Sequence, residues 1–210
     1  MEEFETKEKI LEGTEALFMK YGIRSVTMDD IARQLSVSKK TLYQHFADKD
    51  DLVFRMSEMF LKRNFEQYKQ IESSSKNSIE ELSRISVCMK RDMENLNSSM
   101  LFDLQKYHPK SWNLWSEHKV KIISESVVRN IKQGIAEGFF RPEVNPEIMA
   151  ITRVLLIEGA FNAQEFPKEK FNLVDVQSQL FELFVYGLCT EKGRKLYQKY
   201  KEPNYQPSIL

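Results

Sequence analysis

An all-α fold is predicted for this sequence by three observations. Only 7 Gly and 6 Pro occur in 210 residues, so long stretches run without a helix breaker. Within those stretches apolar residues recur at helical spacing, with little sustained strand-like alternation. Helix start and stop signals bracket them. The length is enough to bury a substantial core and suits a small unit of about fifty residues followed by a larger one.

The first helix is expected from about Thr6 to Tyr21, with Ile10, Thr14, Leu17, Phe18 and Tyr21 on one face and Gly22 as a left-handed stop. A second begins at Thr27, where Asp30 completes a capping pair, Val26 can staple to Ile31, and Ile31, Ala32 and Leu35 form the inner face. The turn Ser36-Val37-Ser38 leads into a third helix of about eight residues ending at Phe46. Asp48 and Asp51 repeat the capping pattern for a fourth, about 49–71, which buries Leu52, Val53, Met56, Met59 and Phe60. Further helices are expected at about 78–97, 99–107 and 110–137, divided by Asn97-Ser98-Ser99 and Pro109 and stopped by Gly138. Asn145 and Pro146 open another to about Phe166, a long one follows from about Asn172 to Leu188, and Thr190 caps a last one through Tyr200.

Composition excludes several classes of function. Hydrophobic residues at 41% and charged residues at 30% are ordinary for a soluble globular chain. No run approaches the roughly 20 apolar residues of a spanning helix. The start MEEFETKEK lacks the basic and apolar regions of a signal peptide, so a cytoplasmic location away from membranes is expected. Cys88 and Cys189 form no C-x-x-C pair and read as buried inert thiols, with redox sensing as the rival. His108 and His118, with nearby Glu117, match no metal-ligand spacing and read as surface residues, so neither a metal nor a cofactor is expected. An enzyme is not expected either, for want of a Gly-rich phosphate loop, a nucleophile elbow or a metal-binding helix motif.

The third helix carries the functional signal. At 100° per residue, Leu42 and Phe46 form its inward stripe, which turns Lys40 and Gln44 outward, with Thr41 and Tyr43 beside them. Lys39 and His45 fall toward the margins and Ser38 at the start. Such a face has little to pack against, but it donates well to phosphates and base edges in a major groove. Thr27 with its following amides offers a phosphate clamp from the second helix, and Lys49 offers one from the opposite flank. Taken alone, Tyr43 and His45 read as packing residues of a three-helix head, and the lysines as solvated charges. Lys+Arg and Asp+Glu both number 31, so net charge lends a polyanion partner no support, and any positive footprint must be local to Lys39, Lys40 and Lys49.

The stretch from Thr27 to Leu52, with its turn spacing, its Leu42-Tyr43-Gln44-His45-Phe46 core and its Lys49-Asp50-Asp51-Leu52 opening, closely resembles the DNA-binding signature of the tetracycline-repressor (TetR) family. That resemblance covers roughly residues 6–60. It implies an N-terminal three-helix helix-turn-helix DNA-binding domain, 1–48, followed by a helical effector-binding and dimerisation domain, 49–210. It implies a homodimer on a near-palindromic double-stranded operator, released when a small-molecule effector moves the fourth helix. Thr27, Lys39, Thr41, Tyr43, Gln44, His45 and Lys49 fall where that family contacts DNA, and Ser38 and Lys40 join them from the helical geometry. Many members carry Gly where this chain has Lys40, so its operator is not copied from a relative. The alternative is an effector-independent helix-turn-helix or architectural protein.

In the larger domain, Met89, Met93, Phe102, Tyr107, Trp112 and Trp115 are candidates for lining an effector pocket, with plain core packing as the rival reading. The last two long helices are apolar on more than one face. Val154, Leu155, Phe161, Leu180, Phe181, Phe184 and Leu188 are therefore candidates for a four-helix interface with a second copy, and a monomeric core would use the same residues.

Overall fold

The computed structural model describes residues 2–94, 99–162, 164–167 and 169–202, and among these the side chains of all but 2–5, 101 and 119. The fold is all-α. In chain order the helices are α1 Glu2–Tyr21, α2 Met28–Gln34, α3 Lys39–His45, α4 Lys49–Ser74, α5 Ser78–Glu94, α6 Met100–Tyr107, α7 Pro109–Ala136, α8 Pro146–Ala160, α9 Leu173–Leu188 and α10 Glu191–Lys201. Among the described residues the only extended pairing is an isolated bridge between Phe140 and Cys189. Asn97 and Ser98, where the sequence places a break, lie outside the described residues.

Local chemistry sets most of these boundaries. Gly22, at φ 82°, ends α1 by donating its N–H to the Phe18 carbonyl, a conformation that costs glycine nothing. Side-chain caps open α2 at Thr27, α3 at Ser38, α8 at Asn145, α9 at Asn172 and α10 at Thr190. α8 stops at Ala160, short of the expected Phe166. Asn162 there donates its N–H to the Gly159 carbonyl and turns its side chain to cap the Gln164 N–H, which competes with continuing the helix.

The chain packs as two units. The first is Met1–Phe65 with Asn95–His118, and the second is Glu66–Glu94 with Lys119–Leu210. In the first, Ile10, Phe18, Ile23, Ile31, Leu42, Phe46, Leu52, Val53 and Met56 bury together, and Met100 and Leu104 of α6 join the same core. Tyr21, expected on the inner face of α1, is exposed, because the chain turns away at Gly22 and offers it no neighbour to cover. His108, expected at the surface, is instead buried at the end of α6 and hydrogen-bonded to Asp50 at 2.7 Å. The break before Pro109 turns its ring inward. His118 lies edge-on against Phe65, and burial lowers its pKa.

In the second unit α9 packs against α5 and α8, and α10 packs against α5. Its core holds Ile79, Leu82, Met89, Ile131, Phe140, Phe181, Phe184, Val185, Leu188 and Tyr197. Gln177 of α9 ties to α8 by donating to the Ile157 carbonyl at 3.0 Å. Arg129 is held by Glu72 and Glu81. Both cysteines are free, and burial pushes the Cys189 thiol up to about 11. No helix among the described residues is long and apolar enough to cross a membrane.

Candidate nucleic-acid interface

α2, the turn after it and α3 form a helix-turn-helix whose geometry is set locally. The Thr27 hydroxyl accepts from the Asp30 N–H while the Asp30 carboxylate accepts from the Thr27 N–H, a reciprocal capping box at the start of α2. Val26 and Ile31 flank it and are both buried. At the other end, Val37 donates to the Ala32 carbonyl and Ser36 to that of Arg33, the paired bonds of a Schellman turn. Ser36 occupies its left-handed position at φ 54°. Val37 then packs on the head core, so the chain reverses within a few residues and presents α3.

Leu42 and Phe46 are buried, as the helical spacing predicts, and the opposite face of α3 is open. Lys39, Lys40, Tyr43 and Gln44 are exposed, Tyr43 by 51%, and Thr41 and His45 are half-buried at the margins. Ser38 accepts from the Thr41 N–H at 2.9 Å, and the two hydroxyls share a further hydrogen bond at 2.8 Å. The His45 ring lies tilted against Phe46. This face therefore offers an ammonium, a phenol, a carboxamide and two hydroxyls on a scaffold fixed by its buried side.

The charge balance of that face depends on pairing. Lys39 is bonded to Asp29 at 2.6 Å and Arg33 is paired with Asp30, so both cations are locally neutralised. Lys40 has no ion pair among the described residues. Thr27 is exposed, but its N–H and its hydroxyl both donate to the Asp30 carboxylate. That carboxylate lies at the start of α2, and its hydrogen bonds to Thr27 hold its pKa below the ordinary value.

Lys49 differs most from a solvated charge. Its ammonium donates to the Ile23 carbonyl at 2.7 Å and lies 5.9 Å from the centre of the Phe18 ring. Burial lowers its pKa, partly countered by Asp103 and Asp50. Asp103 of α6 also accepts from the Arg24 N–H at 3.1 Å, so the loop between α1 and α2 is held from two sides. Sequence reasoning missed this bracing, because nothing local to Asp103 signals a partner 79 residues away.

The pocket candidates divide between the two units. Met89 and Met93 belong to the second, where Met89 is buried and Met93 packs on the core. Phe102, Tyr107, Trp112 and Trp115 belong to the first. There Phe102 and Tyr107 are exposed, Tyr107 lies under the Arg24 guanidinium, and Trp112 and Trp115 stack 5.4 Å apart. Of the residues expected at a dimer face, Val154, Phe181, Phe184 and Leu188 are buried in their own unit. Phe161 and Leu180 are half-buried, and Leu155 is 60% exposed. The open apolar surface of α8 and α9 is instead Ile148, Ile151, Leu155 and Leu183, exposed by 60–65%.

Residues 10–56 match the family described as bacterial regulatory proteins, tetR family. The chain is 26% identical over 185 residues to the HTH-type transcriptional regulator YvaF of Bacillus subtilis, covering 88% of this chain and 96% of that one. It is 27% identical over 148 residues to the HTH-type transcriptional repressor KstR2 of Mycobacterium tuberculosis, 67% of this chain and 72% of that one. The fold superposes on a transcriptional regulator from Saccharomonospora viridis solved in complex with choline. The TM-score there is 0.72 at 20% identity, across 89% of this chain and 99% of that one.

Proposed function

We propose that the chain, whose residues 10–56 match the bacterial tetR family of regulatory proteins, is a transcriptional regulator of that family and works as a homodimeric repressor that leaves a near-palindromic operator when a small molecule binds. The observation that carries this reading is the open face of α3. Lys40, Tyr43 and Gln44 stand out from a helix anchored by buried Leu42 and Phe46, a profile suited to reading base edges in a major groove. Thr41, His45, Ser38 and Lys39 border that face, and Thr27 and Lys49 flank it. In this division of labour residues 1–48 contact DNA and 49–210 serve dimerisation and effector binding.

Dimerisation is supported by the stripe of Ile148, Ile151, Leu155 and Leu183. Four large apolar side chains left open on neighbouring helices of one unit favour a partner of the same kind. Two copies of α8 and α9 would bury the stripe as a four-helix interface. Effector release is supported by the choline-bound regulator of the same fold, and α4, which begins in the first unit and ends in the second, is the segment through which ligand binding acts on the head.

The test is selection of binding sites from a random duplex library by the purified protein at physiological salt. An enriched palindrome with half-sites about one helical turn apart, or a multiple of it, is expected. Absence of enrichment over non-specific binding overturns the reading.

A further inference from the structure

α8 carries a single basic residue, Arg153, in the otherwise apolar and acidic run PEIMAITRVLLIEGA. Its side chain is 4% exposed and has no ion pair among the described residues. One guanidinium nitrogen, Nη2, donates to the Met89 sulfur at 3.3 Å, and the other, Nη1, has no hydrogen-bond partner among the described residues. The guanidinium lies 4.8 Å from the centre of the Phe181 ring and 5.9 Å from that of Phe184. Burial pulls the group down to about 10, so it stays charged at neutral pH. The nearby Tyr68 phenol, pushed up to about 12 by burial, is neutral there and supplies no counter-charge.

A buried cation without an anion is among the most costly arrangements in a protein interior. The aromatic faces of Phe181 and Phe184 and the weak acceptor sulfur of Met89 offset only part of that cost. A purely structural position would be served as well by Met or Leu, which fill similar volume without the charge. The balance changes if an anion joins the site. A guanidinium has a planar fork of donors matched to a carboxylate, and here one arm of that fork is unused. The surrounding Met89, Phe181 and Phe184 are apolar and suit a hydrocarbon body rather than a hydrated ion.

We propose that Arg153 is the recognition residue of the effector site, and that the effector is a carboxylate with an apolar body: its carboxylate accepts from Nη1 of Arg153, and its hydrocarbon part lies among Met89, Phe181 and Phe184. This rests on the reading of the chain as an effector-released regulator and assigns that effector a chemical class. Met89 is among the pocket candidates legible in the sequence, and Arg153 is not. The signal was a lone Arg in an apolar helix.

The experiment measures binding calorimetrically, without DNA, on the full chain. The probes are butyrate, octanoate and laurate, each beside its neutral primary amide. At least one carboxylate is expected to bind with a stoichiometry of one per chain and about tenfold or more tighter than its amide. Arg153→Met is expected to abolish that preference and to raise the Tm of the ligand-free protein, since it removes an uncompensated charge. Arg153→Lys keeps the charge without the fork and is expected to bind at an intermediate level. No carboxylate bound by the wild type, or binding and preference unchanged in Arg153→Met, overturns the proposal. A lowered Tm in Arg153→Met with binding retained identifies a structural cation instead. Because no DNA is present, failure here is distinct from failure to enrich a palindrome. Adding the bound carboxylate to the protein–operator complex then tests release.

Discussion

The Lys49 ammonium at the start of α4 donates to the carbonyl of Ile23, in the loop before α2, at 2.7 Å. A residue that reads from sequence as a free phosphate contact is thus also a brace of the DNA-binding head. Ile23 is fully buried, so removing the donor leaves a shielded carbonyl with only the longer bond from the Val26 N–H at 3.4 Å. Lys49→Ala is expected to destabilise the first unit by about 1–2 kcal/mol, measured by urea unfolding. Unchanged stability shows the bond to be dispensable and returns Lys49 to a purely surface role.

Lys40 provides the contrast. It is exposed and has no ion pair among the described residues, so Lys40→Ala should leave stability within about 0.5 kcal/mol of wild type. Operator affinity should fall, and the slope of log affinity against log salt should lessen by about one. Tyr43→Ala should also weaken operator binding without changing the dimer. Titrations by fluorescence anisotropy across salt concentrations check both variants, and an unaltered slope for Lys40→Ala places its charge off the DNA.

The open and buried faces of α9 predict opposite outcomes for neighbouring residues. Leu183→Glu or Leu155→Glu should yield a folded monomer by sedimentation velocity. Phe184→Ala, within the core of the second unit, should instead cost about 3–5 kcal/mol of stability. A dimer that survives both Glu substitutions places the interface elsewhere.

Ser36 holds the left-handed position of the turn between α2 and α3 at φ 54°, where a side chain is strained and Gly is not. Ser36→Gly should stabilise the head by about 0.5–1 kcal/mol, after allowing for the greater freedom of Gly in the unfolded chain. A lower Tm would show that the serine side chain contributes more than its backbone strain costs.

The capping box of α2 titrates. Hydrogen bonds from Thr27 hold the Asp30 carboxyl below its ordinary value of 3.8. A carboxylate with a depressed folded pKa contributes stability that is present above the unfolded value and is lost as pH falls through the folded one. The stability difference between wild type and Asp30→Asn should therefore be constant near neutrality and shrink below about pH 4. Urea unfolding over a pH series reads it, and a difference that does not vary with pH rules the carboxylate out as the cap.

Much of the head was legible in the sequence because its determinants are local. Thr27 and Asp30 are three residues apart, Leu42 and Phe46 one helical turn apart, and Gly22 acts on the Phe18 carbonyl four residues back. Such contacts are set by the geometry of a single helix or turn, so the outward face of α3 follows from periodicity alone. Less was legible where a helix has more than one apolar face. Periodicity places Leu183 and Phe184 beside each other on α9 without saying which meets the core.

By itself, then, the sequence determined the all-α class, the caps and stops of most helices and the face that α3 presents. Only the tertiary structure decided that Lys49 turns toward Ile23, that Asp103 holds the loop at Arg24 and that His108 is buried against Asp50. It also decided that Phe184 is covered while Leu183 stays open, and that Arg153 is enclosed without an anionic side chain beside it among the described residues. Each of these depends on partners separated by tens of residues, brought together by how whole helices pack, and no local pattern along the chain encodes that choice.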